Sequence, residues 1–121
     1  MELKIIPHEF SICKVSDYSQ IDLDQPFVFI GSTDEEKSLV CPISFVPQNT
    51  TAREDGWRAF RIEGVLDFSL IGILSKISSL LADKSIGIFA ISTFNTDYIL
   101  TKTENFERAI NALKSAGYCI Q

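Results

Sequence analysis

An α+β fold, with two helices packed on one face of an antiparallel sheet, follows from three observations in this sequence of 121 residues. From Trp57 onward, apolar strand-like runs alternate with two stretches whose apolar residues recur at helical spacing, in the order β-α-β-β-α-β. The two central strand-like runs are so close together that only a hairpin can join them. The first half holds several strand-like runs and almost no helical pattern. Together these predict a ferredoxin-like βαββαβ unit preceded by a strand-rich half.

The elements follow in chain order. "EFSICKV" (9–15) and "PFVFIGS" (26–32) are rich in β-branched and aromatic residues, and a polar stretch separates them, so two strands joined by a long loop are expected. "SLVCPI" (38–43) predicts a third. Between them "STDEEK" (32–37) offers Ser32, Thr33 and Asp34 as caps and Glu35 and Glu36 for a first turn, which predicts a very short helix. "VPQNTTAREDG" (46–56) is polar and rich in turn formers, and it reads as the junction between two halves, 1–53 and 54–121.

"WRAFRIEGV" (57–65) reads as a strand. Leu70, Ile73, Leu74, Ile77, Leu80 and Leu81 then line one face of a helix that ends near Asp83. "IGIFAIST" (86–93) and "TDYILTK" (96–102) form the hairpin, with Phe94 and Asn95 as its turn; asparagine tolerates the positive φ that two-residue loops demand. Thr103 is the expected cap of a second helix with Glu104 and Glu107 early and an apolar stripe of Phe106, Ala109, Ile110 and Leu113. Gly117 can close that helix, and "YCIQ" returns as an edge strand. The strand 86–93 is apolar on both sides, so its second face needs a cover from the first half or from a second copy of the chain.

Composition narrows the partners. Eleven Lys and Arg against sixteen Asp and Glu give a formal charge of −5, without the basic, aromatic-interleaved surface that tracks phosphates. Nucleic acid is therefore not an expected partner. No stretch reaches the ~18 unbroken apolar residues of a membrane span, and the amino terminus lacks a secretory pattern, so a cytoplasmic protein is expected. Cys13, Cys41 and Cys119 stand far apart in apolar runs and read as buried free thiols; no metal spacing is present. His8 has no neighbouring acid and nucleophile, and no catalytic or cofactor-binding motif appears anywhere. An enzyme is not expected, nor a cofactor.

The run from Phe60 to Tyr118 resembles an ACT domain, a small-molecule sensing module. "ISTFNTDYIL" (91–100) is its most specific string, and "IGIL" (71–74) is similar to the loop that enters the first ACT helix. "FVFIGSTDEEKSLVC" (27–41) resembles a degenerate first ACT unit, and the whole is similar to the tandem-ACT branch containing the CASTOR-type arginine sensors. Many ACT domains have a proline where Ile71 stands. The resemblance implies an amino-acid-binding regulatory protein that dimerises through ACT units. It also implies ligand positions at Gly72 and Ile73 in the loop and at Ser92, Thr93, Phe94, Asn95 and Asp97 in the hairpin.

The residues support that reading independently. Free amides at a helix start suit a carboxylate, Ser92 and Thr93 supply hydroxyls, and Asp97 supplies a charge for an ammonium or guanidinium. The other readings are that Asp97 bonds hairpin amides, that Gly72 serves close packing, that Ser92 and Thr93 are ordinary strand residues, and that Phe94 shields the core. As a whole, the alternative is an ACT-like dimerisation module without a ligand.

Overall fold

The computed structural model describes residues 1–63 and 72–121. Leu70 of the first helical stripe and Ile71 of the entry loop lie outside the described residues. Among those described, strands β1 (Glu2–Val15), β2 (Phe29–Ser32), β3 (Lys37–Pro42) and β4 (Thr50–Ile62) precede helix α1 (Ile73–Asp83). Strands β5 (Phe89–Ser92) and β6 (Asp97–Lys102), helix α2 (Thr103–Ser115) and strand β7 (Cys119–Ile120) follow. From β4 onward this is the expected β-α-β-β-α-β order. Neither helix is long and apolar enough to cross a membrane.

The chain forms two compact units, one of residues His8–Trp57 and one combining Met1–Pro7 with Arg58–Gln121. The expected division at residue 53 leaves the amino-terminal residues in the first half; the helix-bearing unit instead takes them in as a strand.

In the helix-bearing unit the hydrogen-bonded order is β1-β4-β6-β5, with β7 parallel to β1 through Glu2↔Cys119 and Leu3↔Ile120. The closing strand therefore pairs with the amino terminus. Cross-bonds from the Cys119 N–H to the Met1 carbonyl (3.1 Å) and from the Gln121 N–H to the Leu3 carbonyl (2.8 Å) hold it there. Helix α1 buries Ile77 and Leu81, while Ile73, Leu74 and Leu80 pack at the margin. Helix α2 buries Phe106, Ala109, Ile110 and Leu113, the stripe expected from its spacing. These meet Leu3, Phe60, Ile62, Ile86 and Ile99 in one core. Truncating such a side chain to alanine costs about 2–5 kcal/mol.

Helix ends are set by backbone chemistry. Gly117 (φ 98°) closes α2 through bonds from its own N–H to the Lys114 carbonyl (3.0 Å) and from the Tyr118 N–H to the Leu113 carbonyl (3.1 Å). Helix α1 ends by the same motif, with Ser85 in the left-handed position at φ 58°. The Ser85 N–H reaches the Ala82 carbonyl and the Ile86 N–H the Leu81 carbonyl, both at 2.9 Å. Thr103, the expected cap of α2, is instead its first helical residue; Lys102 occupies the cap position, where its side chain makes no capping bond to the first turn. Only Glu104 is acidic in that first turn.

In the strand-rich unit the order is β2-β3-β1-β4. Cys13, Val15, Leu39 and Cys41 form its core, with Tyr18, Ile21, Val28 and Val46 against them. Two expectations change here, and a third changes at β7. Residues 33–36 form a tight turn and no helix, because the Thr33 hydroxyl accepts the Glu36 N–H (3.1 Å) and closes the chain between β2 and β3. The polar stretch from Thr50 is strand β4, because pairing supplies its backbone bonds and leaves its side chains free to face water. Cys119, on β7 of the helix-bearing unit, is exposed, whereas Cys13 and Cys41 are buried in the strand-rich core.

The region 86–93 is also shorter as a strand than its apolar run implies. Ile86 is consumed in the closure of α1, and only Phe89–Ser92 is regular strand. Phe89 and Ile91 are half-buried and Ala90 is exposed.

Candidate functional site

The topology of the helix-bearing unit brings four chain segments to one end: the close of β4, the start of α1, the close of β5 and the start of β6. The sequence-predicted site residues lie at the start of α1 (Gly72, Ile73), at the facing ends of β5 and β6 (Ser92, Asp97) and on the connection between them (Thr93, Phe94, Asn95).

The β5–β6 hairpin is built by cross-strand register and by one hydroxyl. Phe89↔Leu100, Ala90↔Ile99, Ile91↔Tyr98 and Ser92↔Asp97 are paired, which leaves residues 93–96 as the connection. The Thr93 N–H donates to the Thr96 carbonyl (2.9 Å), its hydroxyl donates to the same oxygen (2.8 Å) and accepts the Thr96 N–H (3.3 Å). Neither Phe94 nor Asn95 has positive φ. The expected left-handed asparagine turn is thus replaced by a side-chain lock, in which Thr93 does locally what a mirror-image turn does with backbone alone. Beneath the tip, the buried Thr96 hydroxyl donates to the Ile62 carbonyl at 2.7 Å and ties the hairpin to the end of β4.

Phe94 stands 83% exposed at the tip, so it does not shield the core. Asn95 and Ser92 are exposed, and Asp97 is half-buried on the same side as Ser92 by register. Among the described residues no hydrogen bond or ion pair engages the Asp97 carboxylate. The tip amide it was positioned to bond, that of Thr96, is taken by Thr93.

At the start of α1, Gly72 sits at φ 87° and ψ 5°, and among the described residues no side chain caps the helix. An added Cβ there meets nothing within 4 Å, so backbone conformation, not close packing, calls for glycine. The Gly72 carbonyl accepts the Lys76 N–H (2.9 Å), the first helical bond. The first-turn amides have no partner within the helix and lie at its positive end, and no acidic side chain belongs to that turn. Beside them Ile73, Lys76, Met1, Ala116, Gly117 and Tyr118 line a cleft of about 300 Å³. Lys76 is a neighbour the sequence reading missed. Among the described residues that line this cleft there is none of the hairpin.

A second feature was also missed. Arg61 near the end of β4 donates from Nε to Glu63 (3.0 Å) and from Nη1 to the Tyr98 hydroxyl (3.2 Å). Its guanidinium carbon lies 5.9 Å from the Tyr98 ring centre. The Tyr98 bond, with Glu63 behind it, holds the Arg61 pKa above its ordinary value against the opposing effect of burial. Arg61 and Glu63 share a strand face and were legible as a pair; Tyr98 enters only through the sheet. No group of three or more metal-ligating side chains exists among the described residues.

A sequence model of the ACT domain matches residues 52–115, more than half of the chain. The chain therefore belongs to the ACT domain family. The match is to the ACT domain in general and does not single out the arginine-sensor branch. Among solved structures it is similar to protein Atu0741 from Agrobacterium tumefaciens, at 32% identity and TM-score 0.86, over 99% of this chain and 91% of that one. Two further likenesses are of fold alone. The regulatory subunit of aspartate kinase from Thermus thermophilus, in its ligand-free form, shares 12% identity at TM-score 0.66, over 97% of both chains. Clostridium acetobutylicum aspartate kinase shares 13% identity at TM-score 0.66, over 94% of this chain and 33% of that one. A comparison with curated protein sequences finds no match.

Proposed function

We propose that this chain is a regulatory, non-catalytic protein that binds an amino acid at the hairpin end of its helix-bearing unit. The observation that carries the reading is the half-buried Asp97 carboxylate, unengaged by any described residue, at the same end as the uncapped first turn of α1. A carboxylate in such a position suits an ammonium or guanidinium, and the free amides with Lys76 suit an α-carboxylate. Gly72, Ile73, Ser92, Thr93, Asn95 and Asp97 are the contacts we assign, with Phe94 as an exposed lid over the tip. The likeness to a regulatory subunit of aspartate kinase, and the resemblance to arginine sensors, support an amino acid as the ligand class.

Among the described residues the hairpin does not line the cleft beside α1, and β5 stands at the outer end of the strand order. Both facts favour a site completed by a second copy of the chain in a homodimer. The second reading, a dimerisation module that has lost its ligand, draws on the same terminal position of β5 in the strand order and predicts a dimer indifferent to amino acids.

The test is thermal unfolding of the wild type and Asp97→Ala with each proteinogenic amino acid. A ligand at ~100 times its dissociation constant adds about 2.7 kcal/mol, and the midpoint rises by several degrees. A rise with one amino acid, lost in Asp97→Ala, is expected. No rise with any of them, from two folded proteins, removes the ligand-binding reading and leaves the dimerisation module.

A further inference from the structure

A groove between α1 and α2 of the helix-bearing unit is left unused by the amino-acid reading. Its volume is about 510 Å³, and Leu80, Ala112 and Ala116 give it an apolar lining beside Ser115. Ala112, Ser115 and Ala116 recur at i, i+3 and i+4, so they stand on one side of α2. Their small side chains let another backbone come close. At Ala116 the groove meets the cleft of about 300 Å³ beside Lys76.

The charges around it are one-sided. Lys84 and Arg108 line the groove and Lys76 lines the adjoining cleft, while among the described residues no Asp or Glu lines either. None of these three cations has a carboxylate within 4.0 Å among the described residues, in a chain with sixteen Asp and Glu against eleven Lys and Arg. Arg108 is nevertheless held in place. Its Nη1 donates to the Lys84 carbonyl at 2.6 Å, and its Nη2 donates to the Asn105 side-chain oxygen at 3.2 Å. Both acceptors are neutral, so the guanidinium is fixed while its charge stays uncompensated, and three of its five N–H groups remain for a carboxylate.

We propose that this groove docks an acidic amphipathic helix of a partner protein, its apolar side on Leu80, Ala112 and Ala116 and its carboxylates on Lys84 and Arg108. The walls are helices, whose backbone groups are already paired, so an incoming strand finds no edge to extend, whereas a helix satisfies its own backbone. Lys84, Arg108, Ser115 and Ala116 are all exposed, so the groove is too shallow to enclose a small molecule as ligand pockets do. A second copy presenting the same groove brings Lys84 and Arg108 against themselves, and like charges oppose that contact. Arg108 and Ala116 lie eight residues apart, about 12 Å along α2, so the contact spans about two turns of the incoming helix. This surface uses neither Asp97 nor the first turn of α1, and it stands independently of the amino-acid site.

The test is titration of the ¹⁵N-labelled full chain with two synthetic peptides of about 15 residues, long enough to form a helix. Both carry leucine and alanine on one face; one flanks that face with glutamate and the other with lysine. Wild type, Lys84→Glu and the double variant Lys84→Glu/Arg108→Glu are compared. The single variant keeps the Arg108 bonds, because Arg108 uses only the main chain of Lys84. The expected result is a saturable shift of amides 80–84 and 108–116 with the glutamate peptide alone, weakened in Lys84→Glu and by about tenfold or more in the double variant. Amides that stay still with the glutamate peptide, that move equally with the lysine peptide, or that report equal affinity in Lys84→Glu and wild type overturn the docking surface. So does a wild type that self-associates on sedimentation where Lys84→Glu does not, since a second copy then fills the groove.

Discussion

Replacing Thr96 with valine removes one oxygen and keeps the shape of the side chain. Thr96 is 7% exposed, and its hydroxyl donates at 2.7 Å to the carbonyl of Ile62, a residue 0% exposed. The bond joins the tip of the β5–β6 hairpin to the last residue of β4, across 34 positions of sequence. A buried hydrogen bond contributes about 0.5–1.5 kcal/mol net, but an acceptor left buried without that donor raises the cost to about 1–3 kcal/mol. Valine restores the lost volume, so no cavity penalty adds to this. The expected cost is therefore about 1–3 kcal/mol, equivalent to a fall in Tm of about 3–12 °C for a chain of this size. Urea unfolding followed by far-ultraviolet circular dichroism measures it, with Thr96→Ser as the control that keeps the oxygen. The reasoning fails if Thr96→Val lies within about 0.5 kcal/mol of wild type, the range of surface substitutions that disturb nothing, or if Thr96→Ser is the weaker of the two.

Two further outcomes follow from the backbone and the thiols. Ser85 closes α1 in the left-handed conformation at φ 58°. Glycine relieves about 1–2 kcal/mol of Cβ strain there and gives back about 0.4–1 kcal/mol through the freer unfolded chain. Ser85→Gly should thus raise stability by about 0.5–1 kcal/mol in the same assay, and a loss of stability contradicts the assignment. Cys41 lies in the strand-rich core, where burial and then the neighbouring Cys13 push its pKa up to about 12, whereas Cys119 is exposed. Only the thiolate attacks iodoacetamide, so mass spectrometry at pH 8 should find one label per native chain, on Cys119, and three in guanidinium. Rapid native labelling of Cys41 refutes the burial.

What the sequence by itself determined is everything that depends on neighbours along the chain. The apolar stripe of α2, the end of α1 near Asp83, the glycine that closes α2 and the hairpin between β5 and β6 were all legible from spacing of a few residues. So were Gly72 at the mouth of α1 and the placing of Asp97 beside the hairpin turn, because backbone conformation and alternation are local properties.

The tertiary structure alone decided whatever needed a distant partner. It drew residues 2–7 into β1 beside β7, and it made a strand of the polar run from Thr50, because hydrogen bonds from another segment outweigh a weak local preference. It brought Tyr98 to Arg61 and Thr96 to Ile62, pairs separated by 37 and 34 positions. It also gave the amide of Thr96 to the Thr93 hydroxyl, leaving the Asp97 carboxylate without a partner among the described residues. Polarity patterns say which side chains face water; only the paired backbone says which polar groups already have what they need.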